Sequence, residues 1–211
     1  MRPPATRITR IIKILRKIYP GSRTALRHRN TLQILVATIL SAQCTDKKVN
    51  EITPGLFRKY KTVHDLAEAK QGALEKEIRS AGFYRNKAKN IIGAAKKIIK
   101  DFKGKVPDSM EALISLPGVA RKTANIVLSS AYGKAEGIAV DTHVKRLSNR
   151  LALSKAKDPD KIEKDLLKIV PKKDWLDLDY MLVDHGRKIC NARRPLCIEC
   201  PLKKLCPSAR T

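Results

Sequence analysis

Four of the five cysteines lie within seventeen residues, spaced Cys190-x6-Cys197-x2-Cys200-x5-Cys206. Thiolates grouped in this way bind zinc or an iron–sulfur cluster. Zinc sites usually carry two short Cys-x2-Cys pairs, whereas iron–sulfur sites accept one such pair with longer arms. A disulfide framework is the weaker interpretation, because nothing at the start of the chain resembles a secretory leader. The spacing modestly favours an iron–sulfur centre.

A second segment whose residues could bind a ligand or take part in catalysis is the run LPGVARKTA at residues 116–124. The pattern predicts a short helix over about 108–115, a Pro-Gly turn, and a second helix over about 121–132 that ends at Gly133. Backbone N–H groups at the start of a helix form a binding site for one phosphate. The segment therefore predicts a helix-hairpin-helix that contacts a phosphate backbone.

Lys122 falls in the first turn of the second helix, opposite its apolar face and beside Asn125 and Ser129. The helix dipole and the neighbouring Arg121 both disfavour the ammonium form there, and a free amine is a nucleophile. From these residues alone, a lysine that contacts phosphate or is merely solvated remains the alternative.

The run AVDTHV at residues 139–144 places Asp141 at the start of another predicted helix. One interpretation is an N-cap, and the other is a carboxylate that stabilises a developing positive charge. His143 is expected to be structural, and Cys44 is expected to be a core thiol rather than a ligand.

The net charge is +25, from 45 Lys+Arg and 20 Asp+Glu among 211 residues. Residues 1–45 hold nine basic residues and no acidic one. Such density attracts polyanions, so nucleic acid is the expected partner, ahead of an anionic membrane surface. No apolar run reaches the roughly 18 residues that a membrane span needs. The expected class is an intracellular, cytoplasmic protein that does not bind membranes.

Apolar residues recur at helical spacing almost throughout the chain, so the predicted fold is all-α. Predicted helices that position the motifs cover residues 8–19, 32–42 and 85–103. Two more begin at Asp158, ahead of Pro159, and at Asp174. The helix over 85–103 is predicted to set an apolar stripe against a basic face.

In this order, these segments resemble the endonuclease III family of iron–sulfur helix-hairpin-helix DNA glycosylases. The similarity extends to LSAQCTD at 40–46 and GFYRNKA at 82–88, and it covers almost the whole chain. It implies two helical domains with a DNA-binding cleft between them. The implied domains are a six-helix domain over 24–136 and a second domain formed by 1–23 with 137–211, which holds a [4Fe-4S] cluster on the four cysteines.

The resemblance also implies an activity, which is removal of oxidised pyrimidines followed by strand cleavage 3′ to the abasic site. Lys122 matches the family's nucleophile and Asp141 its catalytic aspartate. The implied partner is double-stranded DNA with damaged bases or abasic sites, bound by a monomer. The residues implied to contact DNA are Gln43, Phe83, Gly118, Ala120, Arg121, Arg193 and Arg194.

One residue departs from the family pattern, since Ala120 replaces the second hairpin glycine. If Ala120 keeps an ordinary backbone conformation, which we expect, the change is harmless.

Two alternatives to the combined glycosylase and lyase remain. A monofunctional adenine or mismatch glycosylase usually lacks the hairpin lysine, and the adenine-excising branch carries a glutamate where Ala37 stands. A non-enzymatic DNA-binding module with a structural metal would use the same charge and hairpin without chemistry.

Overall fold

The computed structural model describes residues 5–210, and no strand is present within that range. The all-α prediction is confirmed. The α-helices are α1 Ala5–Ile18, α2 Thr31–Ser41, α3 Asp46–Lys59, α4 Val63–Ala67, α5 Gln71–Ile78, α6 Tyr84–Phe102, α7 Met110–Ile114, α8 Arg121–Tyr132, α9 Thr142–Arg150, α10 Pro159–Ile169 and α11 Trp175–Lys188. In the part of the chain that is described, no helix is long and apolar enough to cross a membrane.

The chain divides into two compact units. We call Thr24–Gly133 the hairpin unit, and Met1–Arg23 with Lys134–Thr211 the cysteine unit. The predicted boundary after residue 136 lies three residues beyond this division. Each unit has its own apolar core.

The hairpin unit is organised around α2. Seven consecutive residues of this helix, Ile34 to Leu40, are buried, because α3, α6 and α8 all pack against it. Asn30 caps the helix by accepting a hydrogen bond from the Gln33 N–H at 2.9 Å. A helix that is apolar on most sides is thus surrounded by other helices, as its composition predicts.

In the cysteine unit, α11 packs against both α1 and α9. Of the four apolar residues that recur at helical spacing in α1, Ile11, Ile12 and Leu15 are buried, whereas Ile18 is 37% exposed. Arg16, in the last turn of α1, donates to the Asp174 carboxylate at 2.8 Å. The first helical residue of α10 is Pro159, after Asp158 as N-cap, as the sequence predicts.

Candidate active site and cysteine centre

The predicted hairpin is present in the hairpin unit. α7 and α8 pack against each other, and residues 115–120 join them. The turn closes with a hydrogen bond from the Val119 N–H to the Leu116 carbonyl at 3.2 Å. Within residues 5–210, the N–H groups of Gly118 and Ala120 donate to no protein acceptor. They are therefore available to an external acceptor beside the N-terminus of α8.

Gly118 and Ala120 differ in what their backbones tolerate. Gly118 has φ +77°, and a Cβ atom built there would lie 2.8 Å from the Asn90 Cβ. Only glycine fits this position without displacing Asn90. Ala120 has φ −93° and ψ 171°, an ordinary extended conformation. The expectation that alanine is unstrained in place of the second hairpin glycine is confirmed.

Lys122 is exposed in the first turn of α8, while Ala124, Val127 and Leu128 are buried on the other side of the helix. Its amine is therefore open to a substrate from solvent. Asn125, which the sequence places beside Lys122 on the side opposite the apolar face, is nevertheless only 5% exposed. α8 packs against both α2 and α7, which widens its buried arc beyond the apolar stripe.

Asp141, in the cysteine unit, is the N-cap of α9. Its Oδ1 atom accepts a hydrogen bond from the Val144 N–H at 2.8 Å, and the residue is half-buried. The capping interpretation is thus correct. One carboxylate oxygen is committed to the helix, and Oδ2 is left for a second role.

His143 lies against Arg146, whose Nη2 atom is 3.1 Å from the His143 Nδ1. The same guanidinium donates to the Gly186 carbonyl at 2.9 Å, which joins α9 to α11. Burial lowers the pKa of His143, the nearby Asp141 carboxylate opposes this shift, and the neighbouring arginine cations reinforce it. The contact with Arg146 is in keeping with the expected structural role.

Asp179 on α11 is a buried carboxyl group that the sequence analysis missed. Burial raises its pKa to about 8, against hydrogen bonds from the N–H groups of Tyr180 and Ala139. The nearby charge of Asp141 raises the pKa further. The sequence does contain a signal for this burial, because Asp179 lies four residues after Trp175 and three before Leu182, on the apolar stripe of its helix.

Gln43 and Phe83, which the resemblance implies contact DNA, are both exposed on the hairpin unit. Phe83 is 64% exposed, which is unusual for so large an apolar side chain. Both have left-handed backbones, with φ +51° at Gln43 and +47° at Phe83. Non-glycine residues adopt this conformation at a cost that surrounding structure must offset, and they concentrate at functional sites.

The four clustered cysteines line one cavity of about 210 Å³ in the cysteine unit. All four are half-buried free thiols. Among the described residues, no three His, Cys, Asp or Glu side chains converge tightly enough to hold a single metal ion. The cavity has room for a polynuclear group, and the basic residues Arg150, Lys203 and Arg210 also line it.

Two side chains, Arg150 and His185, lie within hydrogen-bond distance of cysteine sulfur atoms. The Arg150 guanidinium donates to the Cys190 Sγ at 3.3 Å, and the His185 Nε2 lies 3.4 Å from the Cys200 Sγ. Burial lowers the pKa of His185 to about 4, so its ring is neutral at pH 7. Its Nδ1 is 3.0 Å from the Tyr19 hydroxyl. When Tyr19 donates to Nδ1, Nε2 carries the proton and donates to the sulfur.

Burial raises the pKa of both Cys200 and Cys206, and the other thiolates raise it further. Four thiolates therefore need a bound cationic group to coexist in this cavity. The Arg150 side chain also donates to the carbonyls of Asn191 and Ala192, each at 2.8 Å, which fixes the start of the loop to Cys197. Arg193 and Arg194 in that loop are exposed.

The predicted site residues thus fall on both units. Gly118, Ala120, Arg121 and Lys122 adjoin one another at the hairpin, and Gln43 and Phe83 belong to the same unit. Asp141, the four cysteines and the two loop arginines belong to the cysteine unit.

Comparison with known proteins identifies the family. The family model described as "HhH-GPD superfamily base excision DNA repair protein" matches residues 36–172. Endonuclease III of Synechocystis sp. is 54% identical over 204 residues, which are 97% of this chain and 93% of that protein.

Two similar solved structures are a non-covalent endonuclease III–DNA complex and a trapped endonuclease III–DNA covalent intermediate. Each superposes with a TM-score of 0.93 at 42% identity, over 98% of this chain and 97% of that one. This chain belongs to the HhH-GPD superfamily of base excision DNA repair proteins, in its endonuclease III family.

Proposed function

We propose that this protein is a bifunctional DNA glycosylase and AP lyase, which excises oxidised pyrimidines of the thymine glycol type from double-stranded DNA. It then cleaves the strand 3′ to the abasic site. The observation that carries the proposal is Lys122, an exposed amine in the first turn of the hairpin helix α8. A similar protein, 42% identical, has been trapped as a covalent intermediate with DNA.

In the proposed mechanism, the neutral Lys122 amine attacks C1′ of the damaged nucleotide. The C1′–N bond to lysine forms as the glycosidic bond to the base breaks, and the departing base carries the bonding electrons and takes up a proton. Loss of the amine proton and opening of the sugar ring leave a lysine–sugar Schiff base. Removal of a proton from C2′ then expels the 3′ phosphate oxygen, which cuts the strand.

Asp141 supports this reaction with the carboxylate oxygen that α9 does not use. The hydrogen bond from Val144 to Oδ1 fixes the side chain, so the negative charge is preorganised. Its role is to stabilise positive charge on the sugar or to assist proton transfer.

The damaged base must leave the helical stack before Lys122 can reach C1′. The N–H groups of Gly118 and Ala120, together with Arg121, would hold the distorted strand by its phosphates. Gln43 and Phe83 would fill or wedge the vacated stack, a role that suits exposed side chains on constrained turns.

The four clustered cysteines are the proposed ligands of a [4Fe-4S] cluster. The cavity they share and the Arg150 and His185 donors suit a polynuclear thiolate group. When bound, the cluster supplies a structural crosslink between the four cysteines. The ordered loop would then present Arg193 and Arg194 to DNA phosphates.

Borohydride trapping tests the proposed activity. Reduction of the Schiff base on abasic or thymine glycol duplexes should leave wild-type protein covalently attached to DNA. Lys122→Ala should give no adduct, whereas Lys76→Ala, a matched change at an exposed lysine on α5, should trap like wild type. A wild-type protein that binds DNA without any adduct would instead support a monofunctional glycosylase or a binding module.

A further inference from the structure

Lys87 is a charged residue that the mechanism above does not use. It lies on α6, which is rich in basic residues, but its side chain is only 4% exposed. Lys87 turns into the protein beside the end of α2.

The Lys87 ammonium joins two segments that are far apart in the sequence. Nζ donates to the Leu40 carbonyl at 2.7 Å and to the Ala81 carbonyl at 2.9 Å. Leu40 lies in the last turn of α2, where carbonyls lack a helical partner. Ala81 ends the short 3-10 helix Arg79–Ala81.

These two carbonyls belong to the turns that carry the stack-filling residues. Gln43 follows Leu40 by three residues, and Phe83 follows Ala81 by two. The backbone of Lys87 adds a third tie, since its N–H donates to the Phe83 carbonyl at 3.1 Å. Among the described residues, four non-glycine residues have positive φ, and Gln43 and Phe83 are two of them.

A lysine at this position carries two costs in stability. Burial lowers the pKa of Lys87, because the charged form is disfavoured away from water. The first turn of α6 also disfavours a cation. An apolar side chain of similar length would avoid both costs, but it would leave the Leu40 and Ala81 carbonyls without this donor.

We propose that Lys87 is a positioning residue, which locks the Gln43 and Phe83 turns at a fixed separation so that both side chains can enter the stack as the damaged base leaves. This inference rests on the proposed glycosylase function. It predicts that Lys87 affects extrusion of a base more than the chemistry at an abasic site, where no base must be unstacked.

The test compares two single-turnover rates in Lys87→Met, which keeps the side-chain length and removes the donors. Excision of thymine glycol from a duplex should slow by about 10- to 100-fold, the range expected for misplaced positioning groups. Strand cleavage at a preformed abasic site should change by less than about threefold. Lys76→Met, at an exposed lysine of the same unit, should change neither rate.

A double-mutant cycle connects the effect to the two turns. In a background of Gln43→Ala with Phe83→Ala, adding Lys87→Met should slow excision by no more than about twofold, because its route of action is already removed. An unchanged excision rate in Lys87→Met, an equal loss of both rates, or full additivity in the cycle would overturn the proposal.

If Lys87→Met does not fold, Lys87→Arg provides the same comparison of the two rates. It retains charge and donors but alters their spacing, so the same imbalance between the two rates should appear with a smaller loss. Equal losses would contradict the proposal. Borohydride trapping of wild type distinguishes failure of the proposed function from failure of the Lys87 inference. If wild type gives no adduct, both the proposed function and this inference are overturned. If it gives an adduct, the rates of the Lys87 variants test the inference alone.

Discussion

The two units contain different kinds of buried polar group. In the hairpin unit, Lys87 is satisfied by two backbone carbonyls and connects turns that are exposed on the surface. In the cysteine unit, Asp179 is buried with a raised pKa, and the cysteine thiols face a shared cavity. The buried lysine of the hairpin unit is therefore satisfied by protein groups alone, whereas the cysteine unit holds four half-buried free thiols for which we propose a bound cluster.

Replacement of one proposed cysteine ligand should have the largest effect, and it should destabilise the cysteine unit much more than the hairpin unit. Cys200→Ser is expected to prevent cluster binding and to lower Tm by more than about 10 °C, because metal binding and folding are coupled. Visible absorption by the cluster, calorimetry and hydrogen exchange would measure the effect. Exchange protection should fall in residues 190–210 and persist in the core of the hairpin unit.

Cys44→Ser is the matched control, since Cys44 packs beside the hairpin-unit core. It should retain the visible absorption of wild type. If both serine variants lose the absorption equally, the assignment of ligands to the cysteine unit is incorrect.

Asp141 should show two separable effects. Asp141→Asn keeps an acceptor for the Val144 N–H and removes the charge, so excision should slow by about 10²- to 10⁴-fold with the cap intact. Asp141→Ala should slow excision similarly and also lower the free energy of unfolding by about 0.5–2 kcal/mol. Single-turnover kinetics and urea unfolding would distinguish them. If Asp141→Asn excises the base at the wild-type rate, Asp141 acts only as a helix cap and has no role in catalysis.

The hairpin offers a smaller, paired test on backbone geometry. Gly118→Ala should weaken DNA binding and lower the free energy of unfolding by about 1–3 kcal/mol, because φ +77° and the nearby Asn90 both oppose a Cβ atom. Ala120→Gly should change stability by no more than about 1 kcal/mol, because Ala120 is already unstrained. Fluorescence anisotropy and denaturant unfolding supply the measurements, and equal effects at both positions would refute the assigned geometry.

The last prediction concerns the pH dependence of stability at Asp179, in the cysteine unit. Its folded-state pKa, about 8, exceeds the ordinary value of 3.8, so the folded protein binds a proton that the unfolded chain releases. This contribution to stability is complete below about pH 4 and is lost as pH rises through about 8. Asp179→Asn should flatten that dependence and raise the free energy of unfolding at pH 8 by about 1–3 kcal/mol. A parallel pH profile for wild type and variant would contradict the assignment.

Local patterns predicted much of this molecule. Helical periodicity located α2 and α6 to within one residue at each end, and Pro159 marked the start of α10. The hairpin was equally readable, since a Pro-Gly turn between two short helices depends on neighbouring residues only. The resemblance to endonuclease III identified the family, the enzyme class and DNA as the partner, and the comparisons confirm these.

The features that sequence analysis missed depend on contacts across long stretches of chain. Lys87 looks like one basic residue among many until the Leu40 carbonyl at the end of α2, 47 residues away, is seen to accept a hydrogen bond from it. Asn125 lies on the polar side of its helix by periodicity, yet a second packing partner buries it. Asp179 acquires its raised pKa from the fold around it, although its position on the apolar stripe of α11 already indicates that the carboxyl group is buried.

Peptide mapping of the borohydride-trapped adduct tests the central claim most directly. After reduction with abasic DNA, nuclease digestion and proteolysis, mass spectrometry should place the sugar remnant on the peptide that contains Lys122. Attachment to any other amine, or the same yield of adduct from Lys122→Ala, would contradict the account.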